Sequence, residues 1–553
     1  MKSGKSFLIL IVLMGGIMNS CNNNNPDVIY TNGNIWTGIP DTPRAEAIAV
    51  SGETILAVGT TKDLMSLKGT NTHIINLEGK FVVPGFIDSH THFISGGYQL
   101  SNVDLRHAKT PKDFIRIIKE FSATLPEGRW ILGGNWDHEN WGGELPERSW
   151  IDSITSDIPV FVDRLDGHMG LANSAALKLA GITTETPDPP GGLIIRGKEG
   201  TPTGILKDVG ISLITAVIPE RSEEEQDEAL ERATEFALSK GVTQIHDMCT
   251  WSHLKTFQRA NKRGKLKIRI KAFVWYDNWE KLIDYGKTNG WGNDWLGWKG
   301  IKAMVDGSLG SRTAWMYQPY LDDPSTTGLL VAADSSELKS LLLASDKVGI
   351  QLVIHAIGDR ANDWVLDVFE NIAHQNPFRE RRHRIEHAQH LSSDAIPRFA
   401  NLGVIASMQP YHIIDDGRWA GKRVSTDVLK TSYANKSLLD AGATLSFGSD
   451  WTVAPISPIL GIYAAVTRQT LDGENPDGWY PEQKISVEDA LKAYTYGAAY
   501  SVFMEDKLGT LEVGKLADFV VLSADLFMVD PVDIKNVRVL RTVVSGKDRY
   551  LAD

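Results

Sequence analysis

Two histidines stand one residue apart near the start of the sequence, His90 and His92 in "FVVPGFIDSHTH". Side chains at positions i and i+2 of a β-strand point to the same face, so both imidazoles would lie on one side. Imidazole nitrogens are common ligands of divalent metals. In a chain with 14 histidines, two of them are equally consistent with a polar strand end, so a metal site requires further ligands elsewhere.

Four more candidate ligands lie far along the chain, each in or just after a short apolar run. They are Lys302 in "GIKAMVDG", His355 in "IQLVIHAIG", His387 in "HRIEHAQ" and Asp450 in "ATLSFGSD". Imidazole nitrogen and carboxylate oxygen suit a divalent metal such as zinc. These residues therefore predict a metal site, provided that the fold brings the ends of these runs together.

The middle of the chain alternates between apolar runs and helical patterns. Eight runs read as strands: "FVVPGFIDSH", "GVTQIHDM", "LKIRIKAFV", "GIKAMVDG", "IQLVIHAIG", "HRIEHAQ", "GVIASMQ" and "ATLSFGSD". Between them lie helical segments such as "SEEEQDEALERATEFALSKG", which has acidic residues in its first turn and Gly241 at its end. This alternation predicts an α/β fold, a closed (β/α)₈ TIM barrel, whose carboxyl-terminal strand ends all open on one face.

The remaining segments predict a second domain and an insertion. Residues 27–83 and 504–553 are rich in short β-branched runs and are expected to pair as a small β-sandwich, with the barrel spanning residues 84–503. The long interval after the first strand, at about 93–220, is interpreted as an insertion that forms the substrate pocket. Trp136 and His168 in it, and Arg312 in "GSLGSRTA", are candidate substrate contacts, with loop-stabilising hydrogen bonds as the alternative.

The N-terminus predicts export. Lys2 and Lys5 precede "FLILIVLMGGIM", which is too short to span a bilayer comfortably and is typical of a signal peptide over residues 1–21. The segment ends in "MNSC", which resembles a lipoprotein signal with Cys21 as the lipidated residue, and residues 22–26 form a polar tether. We therefore expect a location in the cell envelope or periplasm, with Cys21 as the only membrane anchor; ordinary cleavage is the alternative.

Composition excludes one class of partner. The chain of 553 residues carries a formal charge of −12 and has no block of Lys or Arg, which argues against a nucleic-acid surface. Beside Cys21 only Cys249 remains, so no internal disulfide is expected in an exported form. A homo-oligomer is compatible with the sequence.

Taken in order, the motifs resemble the amidohydrolase superfamily, and within it amidohydrolase family 3. They are "PGFIDSHTH", "DGHMGLANSAAL", "KAMVDGSLGSRTA", "VIHAIGDRA", "RIEHAQ", "FGSDW" and "GTLEVGKLADFVVL". The resemblance implies that His90 and His92 bind the more buried metal, that His355 and His387 bind the other, and that Asp450 is both ligand and proton shuttle. Lys302 would bridge two metals as a carbamate; the alternative is a structural Lys paired with an acid, so one or two metals remain open.

The implied activity is metal-dependent hydrolysis of a C–N bond in a small-molecule amide. N-substituted formamides are the substrates that the resemblance favours, with N-acyl amino acids, cyclic amides and dipeptides as alternatives. Adenosine-type deaminases need a Glu shortly after the fifth-strand histidine, where this chain has Asp359. A binding lipoprotein with a degenerate barrel is the non-enzyme alternative, and the presence of Asp450 argues against it.

Of the other histidines, His246 could face the site or pack in the core, and His412 is expected to be a surface or loop residue.

Overall fold

The computed structural model describes residues 25–126, 128–331 and 335–552. The predicted signal peptide, including Cys21, and most of the predicted tether lie outside these residues. Among the described helices, none combines the length and the apolar content that crossing a bilayer requires.

Eight parallel strands follow one another around a barrel in chain order. They are Phe86–Thr91, Val242–Cys249, Arg269–Trp275, Leu296–Met304, Gln351–Ala356, Arg384–His387, Ile405–Met408 and Leu445–Phe447. Each coincides with one of the eight apolar runs, so the predicted TIM barrel is confirmed. The seam between the first and eighth strands is closed by the backbone N–H of His92, which donates to Trp451 (2.6 Å), and by contact of the Ser89 and Ser446 hydroxyls (2.6 Å).

A helix follows each barrel strand and covers its outer face. In order, these helices are Glu223–Ser239, Trp251–Lys262, Trp279–Asn289, Ser335–Lys347, Asp359–Gln375, Ala395–Leu402, Asn435–Asp440 and Val487–Tyr494. The first begins as the sequence predicts: Ser222 and Glu225 form a reciprocal capping box, and Gly241 (φ +82°) lies just beyond its end. Further helices, which lie in the insertion and the loops, include Phe93–Gln99, Pro111–Ser122, Ser174–Leu179, Pro410–Asp416, Thr426–Lys430, Pro458–Thr467 and Tyr496–Tyr500.

The two ends of the chain meet in a pair of smaller sheets. One has four strands, Val28–Thr31, Ala47–Ser51, Thr54–Gly59 and His73–Asn76; the other has six, Asn34–Trp36, Arg44–Ala45, Phe81–Pro84, Phe519–Leu522, Val539–Val544 and Lys547–Leu551. Phe81–Pro84 pairs antiparallel with Phe519–Leu522, which joins the N-terminal part to the C-terminal part. Side chains from both sheets, among them Tyr30, Ile48 and Phe519, share one buried cluster.

The insertion after the first strand is a six-stranded sheet with a core of its own. Its strands are Val103–Asp104, Ile131–Trp136, Val160–Arg164, Met169–Ala172, Gly192–Arg196 and Pro202–Asp208. It is fastened to loops of the barrel through polar contacts: the Arg418 guanidinium donates to Asp137 (3.0 Å), and the side-chain amide of Asn135 donates to the carbonyl oxygen of Thr452 (3.2 Å). The insertion therefore forms a roof over the end of the barrel that carries residues 450–453.

A buried ion pair ties the barrel to the end domain. Arg269, which begins the third barrel strand, donates to both carboxylate oxygens of Asp518 (2.8 and 3.1 Å) and to the hydroxyl of Ser545 (2.7 Å). The backbone N–H of Ser545 also donates to Asp518 (2.8 Å). Arg269 is fully buried, so its charge depends on these partners in place of water.

We predict that Arg269→Met lowers the free energy of unfolding by about 3–5 kcal/mol, because Asp518 would be left as an unpaired buried charge. Urea titration followed by circular dichroism measures the change. The double variant Arg269→Met/Asp518→Leu should recover much of the loss, and Arg116→Met, which removes an exposed ion pair with Glu120, should leave stability unchanged. A double variant as unstable as the single one would show that burial of the unpaired charge is not the cause.

Candidate metal centre

Three of the predicted ligands converge at the carboxyl-terminal end of the barrel. One ligand atom each from His90, His387 and Asp450 lies within 4.8 Å of the other two, and all three residues are buried. They come from the ends of the first, sixth and eighth strands, which are separated by up to 360 residues of sequence but meet on one face of the barrel. The spacing is that of side chains arranged around one small ion.

His92 and Lys302 complete the side of the cluster nearest to His90. Nε2 of His92 lies 3.4 Å from Oδ1 of Asp450, and Nε2 of His90 lies 3.6 Å from the same oxygen. Nζ of Lys302, on the fourth strand, lies 3.3 Å from Nε2 of His90. Lys302 is only 2% exposed. The structure therefore brings both residues to the place where the sequence predicted ligands.

His355 lies beside His387 on the opposite side of the cluster, with 4.5 Å between the ring centroids. Its Nε2 contacts the carbonyl oxygen of Gly307 (3.1 Å) and lies 3.4 Å from the Asp306 carboxylate. Nδ1 is therefore the nitrogen of His355 that is free to turn toward a metal.

The position of Asp450 follows from the seam of the barrel. The Asp88 carboxylate accepts from the backbone N–H groups of Ser449 (2.8 Å) and His90 (3.2 Å), and the N–H of Asp450 donates to the carbonyl oxygen of His90 (2.7 Å). A Cβ atom at Gly448 would lie 2.5 Å from the backbone nitrogen of His90, so only glycine allows this approach. Asp450 itself has a positive φ of +57°, a strained conformation for a residue with a side chain.

Burial sets the protonation states of the cluster. It lowers the pKa of His90 to about 4 and that of Lys302 to about 8. Burial alone would raise the pKa of Asp450, but the imidazoles of His90 and His92 outweigh it and hold that pKa well below its usual range. The cluster thus favours an ionised carboxylate at Asp450.

This donor set fits a divalent metal. Oδ1 of Asp450 is buried, and no described residue donates a hydrogen bond to it. An ionised carboxylate oxygen without a partner is costly to bury, and a cation between it and the surrounding imidazole nitrogens would compensate it. His90, His92, His387 and Asp450 are the residues placed to hold such an ion.

A shell of buried polar residues orients the ligands. Nδ1 of His90 forms a short hydrogen bond with Glu386, and this carboxylate also accepts from Arg384 (2.8 Å) and Ser407 (2.8 Å). Nδ1 of His387 contacts the side-chain oxygen of Gln409 (2.7 Å). In both histidines the Nδ1 hydrogen bond leaves Nε2 for a metal. Sequence reasoning missed Glu386 and Gln409; the available signal was the charged pair Arg384 and Glu386 at alternating positions of a buried strand.

A narrow cavity lies between the cluster and the roof. Its walls come from the insertion and from loops of the barrel, namely Arg164, Leu165, Asp166, His168, Ser308, Leu309, Gly310, His355, Ile357, His387, Gln389, His412, Asp415, Asp416, Trp419, Asp450 and Val453. His168 is thus placed as the sequence predicted, at the edge of the cavity and 5.2 Å from the His355 ring. Its Nδ1 contacts Asp208 (2.6 Å), which fixes the ring.

The other two predicted substrate contacts do not reach this cavity. Trp136 is fully buried in the core of the insertion, and its indole N–H donates to the carbonyl oxygen of Val162 (2.9 Å). Arg312 binds both oxygens of Asp322 (3.2 and 2.8 Å) on the long loop after the fourth strand. For these two residues the prediction of substrate contact is wrong. The Trp136 side chain packs in the core of the insertion, and the Arg312 side chain forms an ion pair that stabilises its loop.

The structure also shows the environments of two further histidines, His246 and His412. His246 is fully buried, and its ring nitrogens contact Gln244 (3.2 Å) and Arg384 (2.9 Å), so it belongs to the barrel core. His412, expected to be a surface or loop residue, is only 7% exposed and lines the cavity. The expectation for His412 was wrong because the helix Pro410–Asp416 after the seventh strand has no distinct apolar pattern in the sequence.

The fold and the site can be compared with known proteins. The chain is 42% identical over 537 residues to Protein LONG AFTER FAR-RED 3 of Arabidopsis thaliana, covering 95% of this chain and 91% of that protein. It is 29% identical over 547 residues to N-substituted formamide deformylase of Arthrobacter pascens, covering 95% and 98%. A crystal structure of an uncharacterized metal-dependent hydrolase from Pyrococcus horikoshii superposes with a TM-score of 0.74 at 33% identity, covering 91% of this chain and 99% of that one.

The family comparison agrees with these similarities. The model of the amidohydrolase family matches residues 73–550, which include the barrel, the insertion and about half of the strands of the two end sheets. Together with the cluster of histidines and aspartate at the barrel mouth, this match identifies a divalent-metal-dependent hydrolase. The chain belongs to the amidohydrolase family.

Proposed function

We propose that the protein hydrolyses a C–N bond other than a peptide bond in a small-molecule amide, with N-substituted formamides as the substrate class. The observation that carries this proposal is the buried Oδ1 of Asp450, which lies between the imidazoles of His90 and His92 and has no hydrogen-bond donor among the described residues. The similarity to a protein named N-substituted formamide deformylase supports the choice of formamides.

The chemistry divides between the metal and Asp450. The metal supplies positive charge that lowers the pKa of water and polarises a carbonyl group. Asp450 accepts the proton of the attacking water at its carboxylate and then donates that proton to the leaving nitrogen, so that one group acts first as base and then as acid. His90 and His92 hold the carboxylate in its ionised state before the reaction begins. The roof limits the access of bulk water to the cavity.

For the metal itself we propose zinc, with Lys302 as a carbamate that bridges two ions. Lys302 is buried and 3.3 Å from Nε2 of His90, where an ammonium group would repel a cation. Loss of a proton from the ammonium group, followed by reaction of the neutral amine with CO₂ and release of a second proton, would form a carbamate with a negative charge and two oxygen ligands. His355 and His387 would then hold the second ion.

The first prediction of this proposal concerns Asp450. Replacement by Asn keeps the shape of the side chain but removes the proton acceptor, and kcat should fall about 10²–10⁴-fold. Steady-state kinetics with a formamide identified in an amide screen, together with metal analysis, measures the effect. Asp363→Asn, on a helix outside the cavity, is the matched control and should keep full activity. Near-normal kcat in Asp450→Asn would assign proton transfer to another group.

The second prediction concerns Lys302. The Lys302→Ala variant should bind less metal per chain and lose activity, and short carboxylic acids should restore part of both by replacing the carbamate. Lys207→Ala is the matched control, since Lys207 is also buried but donates to the carbonyl oxygen of Ser311 (2.8 Å) outside the ligand cluster. An unchanged metal content in Lys302→Ala would return Lys302 to a structural role.

The third prediction concerns location, for which we propose a lipid anchor at Cys21. The Cys21→Ala variant should remain unlipidated and leave the membrane fraction, because the lipid chains provide the membrane affinity. Fractionation of cells and mass spectrometry of the mature N-terminus measure this. Cys249→Ala should behave as wild type, since Cys249 is buried in the second barrel strand. Wild-type protein found wholly in the soluble fraction would contradict the anchor.

A further inference from the structure

His412 lies between the metal cluster and the roof. It belongs to the helix Pro410–Asp416 and lines the cavity together with His387 and Asp450. Its ring is nearly parallel to that of His387, at an angle of 11° and with 6.5 Å between the centroids. His412 is thus close enough to contact a substrate held at the cluster, although the metal-binding pattern of the sequence does not include it.

The hydrogen bonds of His412 are incomplete. Nδ1 lies 3.2 Å from the side-chain nitrogen of Gln389, whereas Nε2 is buried and has no hydrogen-bond partner among the described residues. The backbone of Gln389 is itself held by the N–H of Tyr433, which donates to its carbonyl oxygen (2.6 Å). A buried polar atom without a partner is uncommon in native proteins and requires an explanation.

Gln389 determines which nitrogen of His412 carries the proton. The side-chain nitrogen of Gln389 is a donor, so Nδ1 of His412 must accept, and Nε2 must then carry the hydrogen. Nε2–H is therefore a donor that lacks an acceptor in the part of the chain that the structure describes. Because His412 lines the cavity, an acceptor oxygen of a molecule bound there would complete this hydrogen bond.

We propose that His412 is a catalytic residue, whose Nε2–H donates a hydrogen bond to the substrate carbonyl oxygen as negative charge develops on it. No proton is transferred in this role; His412 keeps its hydrogen throughout, and proton transfer remains with Asp450. Gln389 is a positioning residue that fixes the tautomer. The inference rests on the proposed amide hydrolysis and adds a second source of stabilisation for the carbonyl oxygen.

The test compares two buried histidines. His412→Phe removes the donor and keeps a flat ring, and it should lower kcat about 10²–10³-fold, as loss of one such donor does elsewhere, while metal content stays at the wild-type level. His390→Phe is the matched control. His390 is fully buried, contacts the Ser432 hydroxyl (2.6 Å) through Nδ1 and also has an unpartnered Nε2, but it does not line the cavity. Its kcat should stay within about threefold of wild type.

Binding of methylphosphonate, a tetrahedral anion that mimics the hydrated amide, provides a measurement that does not depend on turnover. Calorimetry with zinc-loaded proteins should give a Kd at least about tenfold higher for His412→Phe than for wild type. The Gln389→Glu variant should weaken binding similarly, because a carboxylate would draw the proton to Nδ1 and turn Nε2 into an acceptor.

The outcomes separate the two proposals. If no amide is turned over but methylphosphonate binding depends on His412 as described, the proposed amide hydrolysis fails and the oxyanion contact stands. If amides are hydrolysed with normal kcat by His412→Phe, or if methylphosphonate binds wild type and His412→Phe equally or binds neither, the role of His412 is overturned. Loss of metal in His412→Phe would likewise overturn it, since His412 would then act through the ligand cluster.

Discussion

The site depends on the seam where the first and eighth barrel strands meet. The hydrogen bond from the Asp450 N–H to the His90 carbonyl oxygen (2.7 Å) sets the separation of a ligand from strand one and a ligand from strand eight. The Asp88 carboxylate accepts hydrogen bonds from the backbone N–H groups of His90 and Ser449 and so connects the same two segments, and the absence of a side chain at Gly448 allows these segments to approach. A barrel that failed to close here would keep most of its hydrophobic core and lose the metal centre, since the two segments are brought together by closure alone.

Closure places ionisable side chains in the barrel interior, where each needs a partner of opposite charge or a hydrogen bond. Arg384 and Glu386 neutralise each other in the centre of the barrel (2.8 Å), and the same Glu386 fixes the ring of His90. Burial opposes ionisation of Glu386, but Arg384 and His90 outweigh it and hold its pKa well below the usual range. Removing either member would leave a buried charge unpaired, so this part of the site is maintained by stability as well as by function.

Much of this arrangement can be predicted from the sequence, because strand ends in a parallel barrel share one face. The eight strands, the pairing of the chain ends, and the convergence of His90, His387 and Asp450 all follow from periodicity and order along the chain. The residues that were missed or misplaced have another origin. Trp136 lies in the core of the insertion and His412 lies in the cavity, both contrary to expectation, because loops and insertions obey no fixed period and their burial depends on contacts between segments that are distant in sequence.

The groups that the protein leaves without partners are as informative as those that it pairs. Arg164, which lines the cavity, donates to Asp137 (3.0 Å) and Asp166 (2.6 Å). Against these satisfied walls, the buried oxygen of Asp450 and the buried Nε2 of His412 are the exceptions, and both belong to residues that line the cavity. Each such atom reduces the stability of the free protein unless a ligand or a water molecule completes its hydrogen bonds. The carboxylate oxygen of Asp450 is an acceptor, which suits a water molecule that loses a proton. The Nε2–H of His412 is a donor, which suits a carbonyl oxygen that gains negative charge in the same cavity.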